Sequence, residues 1–150
     1  MSSGRRLLLL HPVGQDGACW RWLQLEDLAE AALTPDLPGH GTNLTKPTTL
    51  PAAADEIAAA LDGERDVVGV AMGAMVAQHL LLRHPDRVRS AILFCAHGSA
   101  NAGVCEERAR ASAELGMAAV LDSTLERWFT PPALAAPGHP GFTYAREHLL

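Results

Sequence analysis

Short runs of largely apolar residues, separated by segments with helical character, limit the folds open to this chain more than any other feature. Three such runs lie at Leu7–Leu10, Asp66–Val70 and Ser90–Cys95. Runs of this kind are typical of strands that are buried on both faces of a parallel sheet. A further brief strand is expected in residues 32–41, which end in a loop of prolines and glycines.

Helical segments lie between these runs. One is expected at about residues 18–31, and another at Met72–Arg83, where a His-Pro pair ends it. Between them, residues 48–63 ("TTLPAAADEIAAALDG") have threonines as a start signal, a proline in the first turn and a glycine as a stop. Strands that alternate with helices in this way predict βαβ units. The predicted fold class is therefore α/β, with a parallel sheet flanked by helices.

The pattern changes after residue 97. Val104–Trp128 has the character of consecutive helices with no strand, residues 130–141 form a break rich in proline and glycine, and "FTYAREHLL" starts another helix. We therefore predict an α/β core at residues 1–97 and the start of a helical region at residues 98–150.

The composition excludes several classes of function. The 150 residues carry a net charge of −5 and no basic block, so nucleic acids and anionic membranes are not expected as partners. No group of side chains has the spacing of a metal site. The three cysteines lack a CxxC pair and are expected to be free thiols of a cytoplasmic protein, with Cys95 as a small buried residue. The apolar run near the first residue is too short for a signal peptide or a membrane span.

The stretch "GVAMGA", Gly69–Ala74, joins a predicted strand to a predicted helix. It has the spacing of a nucleophile elbow, glycine-x-nucleophile-x-glycine. In such an elbow the central residue takes a strained conformation, and small neighbours let the strand and the helix pack closely. Gly69 and Gly73 supply those small neighbours, but the central residue is Ala71, which has no hydroxyl group.

A second motif, "HPVG", directly follows the first predicted strand. Acyl transfer needs two backbone N–H donors aimed at the oxygen that becomes negative. The residue after the elbow, Met72, would supply one donor at a helix N-terminus, and Val13 in the "HPVG" loop would supply the other. The alternative, that residues 11–14 form only a turn, stays open.

Together these motifs resemble the α/β-hydrolase family over essentially the whole chain. The family's strand and oxyanion loop resemble "LLLLHPVG", and its D-x-P-G-H-G loop resembles "PDLPGHG" (Asp36–Gly41 with the preceding proline). Its elbow, the following helix and the next strand resemble "VVGVAMGAMVAQHLLLRHPDRVRSAILF". In the helical region, "LERWFTP" (Leu125–Pro131) is similar to the start of the cap in 3-oxoadipate enol-lactonases. The resemblance implies a hydrolase of a small lactone or ester that needs no cofactor, with residues 98–150 as the start of a helical cap.

The resemblance also implies site residues. In a version with serine at position 71, the hydroxyl would attack the carbonyl carbon while the Val13 and Met72 amides hold the oxyanion. His97, which follows the end of a strand, is a candidate for substrate binding. Trp128 and Phe129 either line the substrate cavity from the cap or pack the core of the cap itself.

The chain departs from the family pattern in two respects. Ala71 removes the nucleophile, so we expect this chain to be inactive as a hydrolase. Family members carry the catalytic acid and histidine in strands that follow the cap, and no residue here is assigned to either role. The intact Gly69 and Gly73 favour an engineered Ser→Ala replacement over a natural loss, and both remain open.

Two other functions share the scaffold. One is a non-hydrolytic protein that binds a ligand, or positions it for reaction, in the same pocket. The other is C–C bond hydrolysis of ring-cleavage products. The sheet would expose an unpaired edge if it ended here. We therefore expect the remaining half of the hydrolase fold to be present as a second chain or as disordered residues. Alternatively, the chain self-associates in place of that half.

Overall fold

Among the residues that the structure describes, four parallel strands form the sheet of the first part of the chain. In the computed structural model they are β1 (Arg6–Leu10), β2 (Ala31–Leu33), β3 (Arg65–Val70) and β4 (Val88–Phe94), in the spatial order β2-β1-β3-β4. The structure describes residues 6–23, 31–44, 49–97, 102–136 and 138–149. These belong to two compact units, Met1–Gly98 and Ser99–Leu150, and each is described by itself.

Helical segments follow β1, β2 and β3 of the first unit. A 3-10 helix occupies Gly17–Trp22, α1 occupies Leu50–Ala60, α2 occupies Met72–Arg83, and a short 3-10 turn at Pro85–Arg87 leads into β4. The start signal of α1 works as expected, because the Thr49 hydroxyl accepts a hydrogen bond from the Ala52 N–H at 3.3 Å. The α/β prediction, a parallel sheet flanked by helices, is confirmed.

The core of the first unit lies between one face of the sheet and the helices α1 and α2. Leu8 and Leu10 of β1 and Val67 of β3 point to this face, and each is at most 1% exposed. Leu9, which the alternation of a strand directs to the opposite face, is also 1% exposed. The central strand β1 is therefore buried on both faces, as its unbroken leucine run predicts.

The prediction that Ser90–Cys95 is a buried strand is wrong in part. Ala91 and Leu93 pack against the core, but Ile92 and Phe94 on the other face of β4 are 54% and 53% exposed. Within the described residues β4 pairs with β3 alone, so it is an edge strand. Cys95, directly after it, is exposed rather than buried. The exposure of these side chains depends on the position of β4 in the sheet. A short apolar run in the sequence does not indicate whether a strand is central or at the edge.

Two helix predictions also need correction. The helix expected at residues 18–31 is a 3-10 helix that ends at Trp22, and Ala31 already belongs to β2; residues 24–30 lie outside the described part of the chain. The break predicted at residues 130–141 contains a four-residue helix, because the prolines Pro131 and Pro132 occupy its first turn, where no N–H donor is needed.

The second unit is helical in the part that the structure describes. It contains α3 (Ala102–Leu115), α4 (Met117–Trp128), α5 (Pro131–Leu134) and α6 (Pro140–His148). Its core is a separate cluster of buried residues from α4 and from the last part of the chain: Leu121, Leu125, Phe142, Ala145 and Leu149.

Candidate functional site

The predicted elbow lies at the junction of β3 and α2. Ala71 is the residue between them, with φ 49° and ψ −111°. Positive φ is strained for any residue with a β-carbon, and strain of this kind is concentrated at functional sites. The main chain therefore has the sharp strand-to-helix turn of a nucleophile elbow, although an alanine occupies its centre.

Contacts on both sides of the turn explain why it needs glycines. A β-carbon on Gly69 would lie 2.6 Å from the carbonyl oxygen of Gly73, and one on Gly73 would lie 2.2 Å from the carbonyl oxygen of Leu10. Both distances are far below van der Waals contact. The Gly73 contact also shows that the first turn of α2 lies directly against the C-terminal end of β1.

The N-terminus of α2 is the electrostatic feature of the elbow. The first N–H groups of a helix lack partners within the helix, and the helix dipole places partial positive charge there. Met72 is the first residue of α2, and the Ala71 carbonyl already accepts the Met75 N–H at 3.1 Å. The Met72 amide is therefore suited to hold a negatively charged oxygen next to residue 71.

The loop after β1 begins with a fully buried histidine. The His11 side chain has 0% exposure, its Nε2 accepts a hydrogen bond from the Leu37 N–H at 2.9 Å, and its Nδ1 lies 2.8 Å from the Pro12 carbonyl oxygen. An Nε2 that accepts requires the neutral imidazole with its proton on Nδ1. Burial lowers the pKa of His11, which keeps the ring neutral. His11 thus ties the loop after β1 to the loop after β2.

Asp36 makes a second tie between the same loops. Its carboxylate accepts the N–H of Gly17 at 2.7 Å, and both the N–H and the hydroxyl of Thr42 at 2.7 and 2.8 Å. Burial alone would raise the pKa of Asp36, but these hydrogen bonds outweigh it and hold the pKa below its usual range. The carboxylate therefore stays charged and fixes the "PDLPGHG" loop beside the loop that carries Val13.

The structure places the predicted site residues as follows. Val13 lies in the turn after His11 with 54% exposure, and His97 is exposed beyond the end of β4. Trp128 and Phe129 pack against the core of the second unit, where the Phe129 ring meets the Phe142 ring edge-on at 5.4 Å. That His97, Trp128 and Phe129 contact a substrate stays a prediction. That the Val13 and Met72 amides together hold an oxyanion also stays a prediction.

The predicted site did not include His11 and Asp36, the two residues that hold these loops together. Residues 11–14 do contain a turn, but they also begin at this buried histidine. The available signal was a histidine directly after a leucine run, since a polar side chain that continues a buried strand needs partners.

Other features of the first unit do not belong to the candidate site. A groove of about 400 Å³ between β1, β2 and α1 is lined by residues away from the elbow: Leu8, Leu33, Thr34, Pro35, Ile57, Ala60 and Leu61. Burial raises the pKa of the Cys19 thiol to about 12, with Asp16 adding to the effect, so this thiol is not a nucleophile near neutral pH.

Among the residues whose placement is described, no group of three or more histidine, cysteine, aspartate or glutamate side chains could hold a metal ion. None of the helices in that part of the chain is long and apolar enough to cross a membrane.

Comparisons with known proteins agree with this geometry. The model of the alpha/beta hydrolase family matches residues 7–149. Pimeloyl-(acyl-carrier protein) methyl ester esterase of Neisseria meningitidis is 49% identical over 59 residues, which are 39% of this chain and 23% of that protein. Lipase LipV of Mycobacterium tuberculosis is 37% identical over 100 residues, 62% of this chain and 38% of the lipase.

Solved structures give the same result. A hydrolase from Pseudomonas aeruginosa superposes with a TM-score of 0.84 and 26% identity over 99% of this chain and 59% of its own. A thermophilic esterase from Thermogutta terrifontis superposes with a TM-score of 0.81 and 25% identity over 98% of this chain and 58% of its own. This chain thus spans less than two thirds of each of these relatives. From the match to the family model and from the elbow geometry, we conclude that the chain belongs to the α/β-hydrolase family.

Proposed function

We propose that the elbow binds the acyl group of a small carboxylic ester, and that Ala71 prevents formation of the acyl-enzyme. The observation that carries this proposal is the backbone of Ala71, which keeps the strained φ and ψ of a nucleophile elbow without a nucleophile. The esterase and lipase relatives support an ester as the class of substrate.

The chemistry follows from the position of each group. A serine hydroxyl at position 71 would attack the ester carbonyl carbon, and the carbonyl oxygen would become an oxyanion held by the Met72 and Val13 amides. The alcohol would leave, and water would then release the acid and free the serine. With Ala71 in place, the first bond cannot form, and the site can bind the ester but cannot cleave it.

Finer parts of the proposal rest on the sequence. A lactone as substrate rests on the likeness of "LERWFTP" to the enol-lactonase cap. The same proposal includes substrate contacts from His97, Trp128 and Phe129. It also includes a cytoplasmic location, because all three cysteines are free thiols. The exposed Ile92 and Phe94 support association with further polypeptide at β4.

The direct test is hydrolysis of p-nitrophenyl acetate and of an enol-lactone by the Ala71→Ser variant of the whole protein. When the polypeptide that supplies the catalytic acid and histidine is present, we expect hydrolysis of at least one substrate to rise by a factor on the order of 10³ or more over the Ala71 protein. Ala96→Ser is the matched control, because it adds the same hydroxyl beyond the end of β4 and should change nothing. Equal activity of Ala71→Ser and Ala96→Ser would refute the proposal.

Ala71 itself favours one alternative, a non-hydrolytic protein that uses the same site. Turnover of a ligand by the Ala71 protein, with no gain in Ala71→Ser, would support that alternative. Cleavage of vinylogous diketones by Ala71→Ser in preference to esters would instead support a C–C bond hydrolase.

A further inference from the structure

A pair of histidine rings lies where the loops after β1 and β2 meet. His11 is fully buried, and its ring centroid lies 5.2 Å from that of His40, with a 58° angle between the ring planes. His40 belongs to the "PGHG" part of the second loop, and its Nδ1 lies 3.1 Å from the Pro38 carbonyl oxygen. The two imidazoles therefore join the two loops that flank the candidate site.

We propose that His11 is a pH-sensitive positioning residue: its neutral imidazole holds the Val13 loop against the loop after β2, and uptake of a proton releases the two loops from each other. The inference rests on the proposed function in one respect only, namely that the Val13 loop contacts the ligand. In acidic solution, the Val13 amide would then lose the position that it needs to hold an oxyanion.

The hydrogen bonds of His11 explain why a proton breaks the contact. In the neutral ring, Nδ1–H donates to the Pro12 carbonyl and Nε2 accepts the Leu37 N–H. A proton on Nε2 would place two N–H donors face to face at 2.9 Å. The Leu37 N–H would lose its acceptor in a buried place, where an unpaired donor is destabilising.

The surrounding charges act in both directions on His11. Burial, the largest effect, and the neighbouring His40 favour the neutral ring. The Pro12 carbonyl, Asp36 on the loop after β2 and Asp16 on the loop after β1 favour the charged ring. The first turn of α2, which lies against the His11 carbonyl, carries no titratable side chain.

The net effect is that the pKa of His11 lies below the ordinary histidine value of 6.5. The free energy of unfolding that this neutral histidine contributes is fully present above pH 6.5 and is lost as the pH falls through the lowered pKa. The loops should therefore stay joined at neutral pH and separate as the pH falls through the lowered pKa of His11.

NMR of the unmodified protein tests the proposal without any ligand or catalytic step. Long-range ¹H–¹⁵N spectra should show His11 with its proton on Nδ1 at pH 7.5, and a titration should give a midpoint below that of a histidine in a short reference peptide. The amide signals of Gly14, Gly17 and Leu37 should move at the same midpoint. A proton on Nε2 at pH 7.5, or loop amides that do not follow the His11 midpoint, would overturn the proposal.

The His40→Gln variant gives a second and independent measurement. It removes the imidazole that lowers the pKa of His11, so the His11 midpoint and the loop signals should both move to higher pH. An unchanged midpoint, or one that moves to lower pH, would contradict the coupling. Because neither experiment involves ester cleavage, failure here is distinguishable from failure of the proposed ester chemistry.

Discussion

The N–H of Ala71 donates a hydrogen bond to the carbonyl oxygen of Phe94 at 2.9 Å, which joins the elbow to the end of β4. Cys95, the next residue, has φ 53°, and Ala71 has φ 49°. Two neighbouring strands therefore end at the same level, and each leaves the sheet through a residue with positive φ. The position of the elbow depends on β4 as well as on the helix that follows it.

The strain at Ala71 is measurable as stability. Glycine adopts the conformation of residue 71 without a steric penalty, so Ala71→Gly should raise the free energy of unfolding by about 1 kcal/mol, as measured by urea denaturation. Ala59→Gly on the exposed side of α1 is the control and should lower it by up to about 1 kcal/mol. Equal losses in both variants would mean that residue 71 is not strained.

The close approach of α2 to β1 gives a second prediction. Gly73→Ala places a β-carbon 2.2 Å from the Leu10 carbonyl oxygen, so the backbone must move. We expect the free energy of unfolding to fall by about 3 kcal/mol. Gly138→Ala, where no atom outside the neighbouring residues of the chain lies within 4 Å of the added carbon, should change it little. A tolerated Gly73→Ala in a thermal melt would show that the helix does not lie against β1 in this way.

Asp36 should make the free energy of unfolding depend on pH. Its pKa is below the ordinary 3.8, so its contribution is present above about pH 4 and is lost as the pH falls through the lowered pKa. Asp36→Asn should cost about 2 kcal/mol at pH 7 and reduce the loss of stability that occurs as the pH falls below about 4. The control Asp86→Asn, at a side chain that is 75% exposed, should do neither. Urea melts at several pH values measure both effects.

The exposed face of β4 should promote association. Ile92 and Phe94 are large apolar side chains on one face of an edge strand, which is a common site of pairing between chains. Analytical ultracentrifugation should find species larger than a 15.9 kDa monomer, and Ile92→Lys should shift them towards monomer. Leu82→Lys, at a side chain on α2 that is 78% exposed, is the matched control. A monomeric unmodified chain would contradict this prediction.

Local pattern predicted the elements of the fold well, but not the contacts between distant loops. The bounds of α2 follow from the sequence because the turn at Ala71 and the pair His84-Pro85 limit the helix on both sides. The roles of His11 and Asp36 depend on hydrogen-bond partners 26 and 19 residues away in the chain. The local spacing of apolar and polar residues does not indicate such contacts. The exposure of Ile92 depends on what covers the edge of the sheet, which a short apolar run does not reveal.

Labelling of the Ala71→Ser protein with a fluorophosphonate would show directly whether residue 71 occupies the nucleophile position. Intact mass spectrometry would follow the reaction, and peptide mapping would locate the adduct. We expect one adduct, on residue 71, with none in the Ala71 protein or in Ala96→Ser. An Ala71→Ser protein that stays unlabelled in the presence of the polypeptide carrying the acid and histidine, or an adduct at another residue, would contradict the claim that this turn is a nucleophile elbow with alanine in place of the nucleophile.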